Sequence, residues 1–210
     1  VQGLTNIPGS GGVLLLGNHI SWVDWAIIQI ASPRPIRFVM LKSIYDKWYL
    51  NSFLKMMGCV PIQQGTSSKD SLAKVTEALN AGEVVCIFPE GSISRTGHLA
   101  EFRRGYELAC KEANANVSIV PFYLRGLWGS KFSHSSERLK RYSARGIKRD
   151  LVVSFGAPLD KNTTVDVLKR RVFDLSISSW QNHVEQLPTL PEAWINTAKQ
   201  QGSDLAIADT

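Results

Sequence analysis

One short stretch near the start of the chain pairs a histidine with a carboxylate at a spacing that suits proton transfer. It reads Asn18-His19-Ile-Ser21-Trp22-Val-Asp24. On a continuous helix, residues five apart lie about 140° from each other, so His19 and Asp24 cannot share a helical face. They can meet if His19 lies in a turn and Asp24 in the first turn of the next helix. The carboxylate would then fix the imidazole tautomer and leave the other ring nitrogen free as a base.

The same stretch also has a purely structural interpretation. Ser21 and Asp24 have the spacing of a helix-capping box, and the helix dipole alone favours an aspartate in a first turn. His19 would then be an ordinary packed side chain. Taken alone, the stretch leaves both interpretations open.

A second polar stretch follows an apolar run, 84–88, that predicts a buried strand ended by Pro89. It holds Glu90-Gly91-Ser92 and then Arg95, Arg103 and Arg104. α/β folds build sites at the ends of such strands. Glycines that permit close approach, backbone donors and arginines together suit a bound phosphate, so we predict a phosphate-binding loop. The alternative is a charged loop that leads into a helix.

The rest of the chain must position these two stretches. Six short, mostly apolar segments have the pattern of buried strands, and they lie at 13–16, 36–41, 60–62, 84–88, 117–124 and 151–155. Helices are predicted between and after them, at 21–30, 43–57, 68–80, 104–113 and 165–186 and from Pro191 onward. This alternation predicts an α/β fold, a single layered domain with a largely parallel central sheet flanked by helices.

Composition places the chain among ordinary globular proteins. Its 210 residues are 44% hydrophobic, and its longest apolar runs have four or five residues, against the about 20 that cross a bilayer. Three separated cysteines argue for a reducing compartment, and no histidine lies at zinc-ligand spacing from them. We expect neither a metal nor a cofactor. Because the first residue is Val1 and not methionine, we expect the chain to be processed or cut from a longer protein.

The net charge of +6 is concentrated in one segment, 131–149, where seven basic side chains face one acidic residue, Glu137. The basic members are Lys131, Arg138, Lys140, Arg141, Arg145, Lys148 and Arg149. A localised basic patch indicates an anionic partner, such as a membrane, an acidic carrier protein or a phosphorylated substrate, unless the segment is simply a solvated loop. RNA-binding signatures are absent from the sequence, so we expect no nucleic-acid partner.

Four motifs in order give the chain a resemblance to a known family. They lie at Asn18 to Asp24, Gly58 to Ile62, Phe88 to Gly105 and Val120 to Tyr123, within roughly residues 1–160. In this order they resemble the glycerolipid acyltransferases, and in particular bacterial and organellar lysophosphatidic acid acyltransferases. The resemblance implies transfer of an acyl group from acyl-CoA or acyl carrier protein to a free hydroxyl of a lysophospholipid.

The resemblance also implies which residues form the site. His19 matches the general base, Asp24 its orienting carboxylate, and Glu90-Gly91 the acceptor-binding motif. The expected substrate-binding set is completed by Asn18, Ser21, Ser92, Arg95, Arg103 and Arg104. Backbone N–H groups near the start of the first helix are the expected donors to the developing oxyanion. Since the substrates are amphiphiles, we expect a cytoplasmic enzyme in peripheral contact with the anionic inner face of the cell membrane.

Two departures from the family's pattern concern the acceptor. Gln63 and Gln64 stand where the family often has Asp-Arg, and Ile93 replaces an arginine. Both missing arginines would serve an acceptor's phosphate. The sequence therefore favours a phosphodiester such as lysophosphatidylethanolamine over lysophosphatidic acid. The alternatives are a lysophosphatidic acid acyltransferase, an acyl thioesterase in which the same base activates water, and an inactive lipid-binding module.

Residues 43–57 have two interpretations, an apolar membrane-docking face or a helix pair packed in the core. The apolar members are Ile44, Tyr45, Trp48, Tyr49, Leu50, Phe53, Leu54, Met56 and Met57, and the lysines beside them are Lys42, Lys47 and Lys55.

The end of the chain carries a fainter resemblance. Leu190 to Ile195, followed by Asp204 to Thr210, resembles the junction of bifunctional lysophosphatidylethanolamine acyltransferase/acyl-carrier-protein synthetases. We therefore expect an acyltransferase domain at 1–198 and a linker at 199–210 that leads to a further domain.

Overall fold

The computed structural model describes residues 1–63, 69–114, 116–144 and 149–201. Its strands are β1 (Gly12–Gly17), β2 (Ile36–Leu41), β3 (Val60–Ile62), β4 (Val84–Ile87), β5 (Val117–Arg125), β6 (Val152–Phe155) and β7 (Leu159–Asp160). Its α-helices are α1 (Asp24–Ala31), α2 (Lys42–Tyr45), α3 (Trp48–Met56), α4 (Lys69–Asn80), α5 (Gly105–Lys111), α6 (Glu137–Ala144), α7 (Val165–Glu185) and α8 (Leu190–Gln201), and a 3₁₀ turn spans Leu4–Asn6.

The strands form one sheet in the order β3-β2-β4-β1-β5-β6, with β7 also paired to β5. The pairs among β1 to β5 are parallel, whereas β6 and β7 run antiparallel to β5. The predicted α/β class with a largely parallel sheet is confirmed. β1 lies between β4 and β5, so the residues after it are flanked by the ends of two other strands.

The apolar run of β1 fills two cores at once. Val13 and Leu15 pack in one cluster, which also contains Ile28 of α1 and Leu54 of α3. The alternate residues of the strand pack in a second cluster with side chains of α4, α5 and α7. Because successive side chains of a strand point to opposite faces, a strand covered on both sides is apolar throughout.

Differences from the predicted elements are local. The predicted helix at 21–30 begins at Asp24, for a reason given below. The 3₁₀ turn, β7 and α6 were not predicted. α6 lies in the basic segment, whose polar sequence lacks the apolar spacing that predicts a helix. Residue 68, at which the predicted helix 68–80 starts, lies outside the described residues, and α4 begins at Lys69.

The chain divides into two compact units, Val1–Ser179 and Trp180–Thr210. The first contains the whole sheet and both apolar clusters. In the second, α8 runs through Lys199 to Gln201, and the rest of the predicted linker lies outside the described residues. Within the described part of the chain, no helix has the length and apolar character that crossing a membrane requires.

Candidate active site

His19 and Asp24 meet across the connection between β1 and α1. His19 lies two residues beyond the end of β1, and Asp24 is the first residue of α1. Nδ1 of His19 is 2.8 Å from Oδ2 of Asp24, which is the contact that the spacing predicted. The aspartate side chain is fully buried, whereas 21% of the histidine side chain is exposed. Within the described residues, no group bonds to Nε2, so this nitrogen is the open position of the ring.

The turn before α1 folds around the Asp24 carboxylate. Oδ2 accepts the backbone N–H groups of Ile20 at 2.7 Å and Ser21 at 3.0 Å. The Ser21 hydroxyl donates to Oδ1 at 2.5 Å. A buried carboxylate without such donors would be very costly. The helix therefore begins at Asp24 because the residues expected to form its first turn are used to solvate the carboxylate.

The same hydrogen bonds overturn the expected oxyanion site. The N–H groups of Ile20 and Ser21 go to Asp24. Trp22 donates to the Phe132 carbonyl at 3.0 Å, and Val23 donates to the Ser21 hydroxyl at 3.3 Å. The prediction that backbone donors near the start of the first helix bind the oxyanion is therefore wrong for residues 20–23, because internal acceptors already occupy them.

Glu90 holds the backbone of His19. Its Oε1 accepts the His19 N–H at 2.9 Å, and its Oε2 accepts the Ala100 N–H at 3.2 Å. The His19 carbonyl in turn accepts the Ser94 N–H at 2.8 Å. Burial raises the pKa of the Glu90 carboxyl above its usual value, although the two N–H donors oppose that change. In the structure this buried side chain positions the backbone of the histidine. The acceptor contact that the resemblance implied stays a prediction.

Phe88 supports the histidine ring from one face. The two rings are stacked, with centroids 4.0 Å apart and an interplanar angle of 16°. Phe122 of β5 meets Phe88 edge-on at a centroid distance of 6.0 Å. The sequence prediction placed Phe88 only in a strand and a motif. Its position at the end of the strand that neighbours β1 was the signal for a role beside His19.

Asn18 joins the end of β1 to β5. Its side-chain amide donates to the Leu124 carbonyl at 2.9 Å and accepts the Leu124 N–H at 2.7 Å. Asn18 and Ser21 are both buried. Each of these side chains is hydrogen-bonded within the protein and holds the turn between β1 and α1 in place. That they also bind substrate stays a prediction.

The arginines after β4 are arranged differently. Gly91 has a φ of +72°, and a Cβ there would lie 2.8 Å from Nε of Arg103, so the glycine lets this side chain pass close to the loop. Arg95, Arg103 and Arg104 are exposed, and their guanidinium groups have no hydrogen-bond or ion-pair partner in the described part of the chain. Ser92 is exposed as well. These side chains are available to an anion, which a phosphate-binding loop requires.

The positions that lack the family's arginines differ from each other. Ile93 is 7% exposed, so its side chain is directed into the protein. Gln63 is exposed just after β3, and Gln64 lies outside the described residues. Of the two positions where the family often has an arginine, Ile93 is the described one, and it provides no cation.

The basic segment combines structural and exposed charges. Lys140 pairs with Glu137 at 2.8 Å, and the Arg149 guanidinium donates to the carbonyls of Gly126 at 2.9 Å and Trp128 at 3.1 Å. The exposed members without an ion-pair partner in the described residues are Lys131, Arg138 and Arg141, while Arg145 and Lys148 lie outside those residues.

Comparison with known proteins places this arrangement in a family. The model of the family described as Acyltransferase matches residues 1–125. The chain is 30% identical over 131 residues to the chloroplastic 1-acyl-sn-glycerol-3-phosphate acyltransferase of Arabidopsis thaliana, covering 60% of this chain and 35% of that protein. It is 28% identical over 101 residues to the 1-acyl-sn-glycerol-3-phosphate acyltransferase of Bacillus subtilis, covering 48% of this chain and 50% of that protein. The chain thus spans half or less of the length of these relatives.

A solved structure has the same fold. The crystal structure of the 1-acyl-sn-glycerophosphate acyltransferase PlsC of Thermotoga maritima matches with a TM-score of 0.65 at 17% identity, covering 90% of this chain and 73% of that one. At this identity the likeness concerns the architecture.

Proposed function

Because this chain belongs to the acyltransferase family, we propose that it is a glycerolipid O-acyltransferase that moves a fatty acyl group from a thioester to a free hydroxyl of a lysophospholipid. The observation that carries the proposal is the His19–Asp24 pair. A buried carboxylate holds Nδ1 at 2.8 Å, and the partly exposed ring keeps Nε2 open. A hydroxyl is a poor nucleophile at neutral pH, and a base oriented in this way can remove its proton during attack.

The reaction then needs no covalent enzyme intermediate. Nε2 of His19 takes the hydroxyl proton as the acceptor oxygen attacks the thioester carbonyl carbon. When the tetrahedral intermediate collapses, the carbon–sulfur bond breaks, and the imidazolium gives the proton to the departing thiolate. The products are an ester and a free thiol. Asp24 acts as a positioning residue that selects the tautomer and stabilises the imidazolium.

Product analysis tests this proposal against its alternatives. The chain is incubated with a panel of lysophospholipids and with both acyl-CoA and acylated carrier protein. We expect ester formation equal to thiol release. Thiol release with free fatty acid as the product would identify a thioesterase, and binding of lysolipid without thiol release would identify an inactive lipid-binding module.

For the acceptor, we propose that a phosphodiester such as lysophosphatidylethanolamine is used better than lysophosphatidic acid. At the two positions where the family often has an arginine, this chain has Gln64 and Ile93, and neither side chain carries a positive charge to pair with a dianionic phosphomonoester. The unpaired Arg103 beside Gly91 can satisfy the single charge of a diester with charge-assisted hydrogen bonds. Lysophosphatidic acid is the competing acceptor, because relatives carry names of that activity. A higher kcat/KM for lysophosphatidic acid at equal salt would overturn the preference.

We also propose that the exposed cations of the basic segment, Lys131, Arg138 and Arg141, contact an anionic partner, and that the enzyme works at the cytoplasmic face of the cell membrane. The three buried, unpaired cysteines suit a reducing compartment. Reversing these three charges should weaken binding to the anionic partner and reduce its salt dependence.

A further inference from the structure

Helix α3 carries large apolar side chains on the side that faces solvent. Trp48 is 87% exposed, Met56 76%, Tyr49 59% and Phe53 39%. At about 100° per residue, these four side chains span about 140° of the helix surface, and Ser52 is the only polar residue within that arc. The exposed side of a helix on a globular protein normally carries polar and charged residues instead. We call this surface, formed by Trp48, Tyr49, Phe53 and Met56, the outer face of α3.

The outer face contributes little to holding α3 in place. Leu54 on the opposite side is buried, and Leu50 packs against the same apolar cluster. One side of α3 thus packs in the core, as the second of the two interpretations of residues 43–57 requires. The other side is exposed, as a docking face requires. Trp48 and Met56 can be replaced without opening a cavity in the core.

Lysines border the outer face. Lys47 and Lys55 are exposed and have no acidic partner in the described residues. Lys42 pairs with Asp46 at 2.6 Å, so these two charges compensate each other. Aromatic rings and lysines with apolar stems are the side chains that suit the headgroup region of a bilayer. An apolar surface rimmed by two uncompensated positive charges is complementary to an anionic lipid surface.

The outer face contacts helix α1. The Phe53 ring lies edge-on against the Trp25 ring, with centroids 5.7 Å apart. Trp25 follows Asp24 in α1, and Asp24 holds the His19 ring. This ring contact therefore joins the outer face to the helix whose first residue holds the His19 ring.

We propose that the outer face of α3 docks the protein on an anionic lipid bilayer. This inference rests on the proposed function in one respect, namely that the acceptor is a lipid drawn from that bilayer. The surface itself is defined by exposure and charge alone, so it can be tested without turnover.

The first test measures sedimentation of the 210-residue chain with vesicles of phosphatidylglycerol and phosphatidylethanolamine. Replacing both Trp48 and Met56 by serine should weaken vesicle binding by at least about tenfold. The matched control replaces Val167 and Phe173 of α7, which are 47% and 54% exposed, and should leave binding unchanged. The thermal midpoint of the Trp48/Met56 variant should equal that of the wild type, which shows that the variant is folded. Equal vesicle binding by the two proteins would overturn the proposal.

The second test addresses the charge of the lipid. Lys47→Glu and Lys55→Glu should each weaken binding to the anionic vesicles by about fivefold, and less at high salt. Binding to phosphatidylcholine vesicles should be weak for every variant. The competing outcome is a dimer. If the wild type does not sediment with vesicles but dimerises with rising concentration, and the Trp48/Met56 variant stays monomeric, the outer face binds a second copy and the lipid proposal is wrong.

A third test separates docking from chemistry. With a short-chain lysophospholipid dispersed as monomers, the Trp48/Met56 variant should keep wild-type turnover, whereas turnover of the same headgroup embedded in vesicles should fall with binding. Loss of both activities in a folded variant would contradict docking. If the wild type transfers no acyl group to either acceptor, the proposed function fails, and vesicle sedimentation still decides whether the outer face binds lipid.

Discussion

The catalytic turn, residues 18–24, and the arginine loop, residues 90–104, contact each other but are built in opposite ways. In the turn, Asn18, Ser21 and Asp24 are buried and hydrogen-bonded to other parts of the protein. In the loop after β4, Arg95 and Arg103 are exposed and have no partner in the described residues. A group that transfers a proton must be held in one orientation, whereas a group that binds a mobile anion must have hydrogen bonds left to make. Substitutions in the two regions should therefore fail in different ways.

The largest effect is expected where the turn performs chemistry. His19→Ala removes the proposed base, and kcat/KM should fall by at least about 10²–10⁴. Thermal stability is measured beside it, because the variant also loses the hydrogen bond to Asp24 and the stacking on Phe88. His98→Ala, which changes an exposed histidine on the neighbouring loop, is the control and should keep wild-type turnover. Acyl transfer at an unchanged rate in the His19 variant would remove the basis of the proposed function.

Substitution of a side chain that holds the turn in place should lower the stability of the protein. Asn18→Ala leaves the Leu124 N–H and carbonyl without their side-chain partner in a buried place, and the free energy of unfolding should fall by about 1–3 kcal/mol. Denaturant unfolding measures this loss. Asn182→Ala, at an exposed position, should change stability by less than about 0.5 kcal/mol. An equal loss of stability in the two variants would mean that the hydrogen bonds of Asn18 to Leu124 do not stabilise the fold.

The pH dependence of stability should reveal Glu90. Burial raises the pKa of this carboxyl above 4.5 in the folded protein, so the folded state binds the proton more tightly than the unfolded state. Its contribution to stability is present below the unfolded pKa and is lost as the pH rises through the folded pKa. In Glu90→Gln this contribution is absent, and the stability of the wild type relative to the variant should therefore decrease with rising pH across that window. A difference that stays constant with pH would show that Glu90 does not titrate as described.

The smallest effect on the protein itself is expected in the arginine loop. Arg103→Ala should leave stability within about 0.5 kcal/mol of the wild type. It should raise the KM for the acceptor, or lower kcat/KM for it, far more than it affects the thioester donor. Arg170→Ala, at an exposed position of α7, is the matched control for loss of a positive charge. If both substitutions change the KM for the acceptor equally, Arg103 contributes only through the overall positive charge of the protein and does not contact the acceptor.

The sequence predicted the parts of the molecule whose information is local. Apolar runs identified the strands β1 to β6, and the five-residue spacing predicted the contact of His19 with Asp24. The supports of the histidine were missed because they join distant residues. Asn18 bonds to Leu124, 106 positions away, and His19 bonds to Glu90, 71 positions away. Only the strand order β4-β1-β5 brings these residues together, and the chain sequence alone does not state that order.

The same lack of long-range information explains why the supporting role of some predicted substrate residues was missed. A buried asparagine clamp and an exposed asparagine ligand look alike in a sequence, because both are polar residues at the end of a strand. Burial separates them, and it shows that Asn18, Ser21 and Glu90 support the turn, a role that the sequence did not predict. Arg95, Arg103 and Arg104 stayed exposed, so their predicted role in substrate binding is still a prediction.

The most direct test of the central claim is a double-mutant cycle on kcat/KM with His19→Ala, Asp24→Asn and the combination. If Asp24 acts by orienting and stabilising the His19 imidazole, Asp24→Asn should cost a large factor in the wild type and almost nothing once His19 is alanine. The two free-energy losses should therefore be strongly non-additive. Additive losses would contradict the account, because they would mean that the carboxylate and the imidazole act independently.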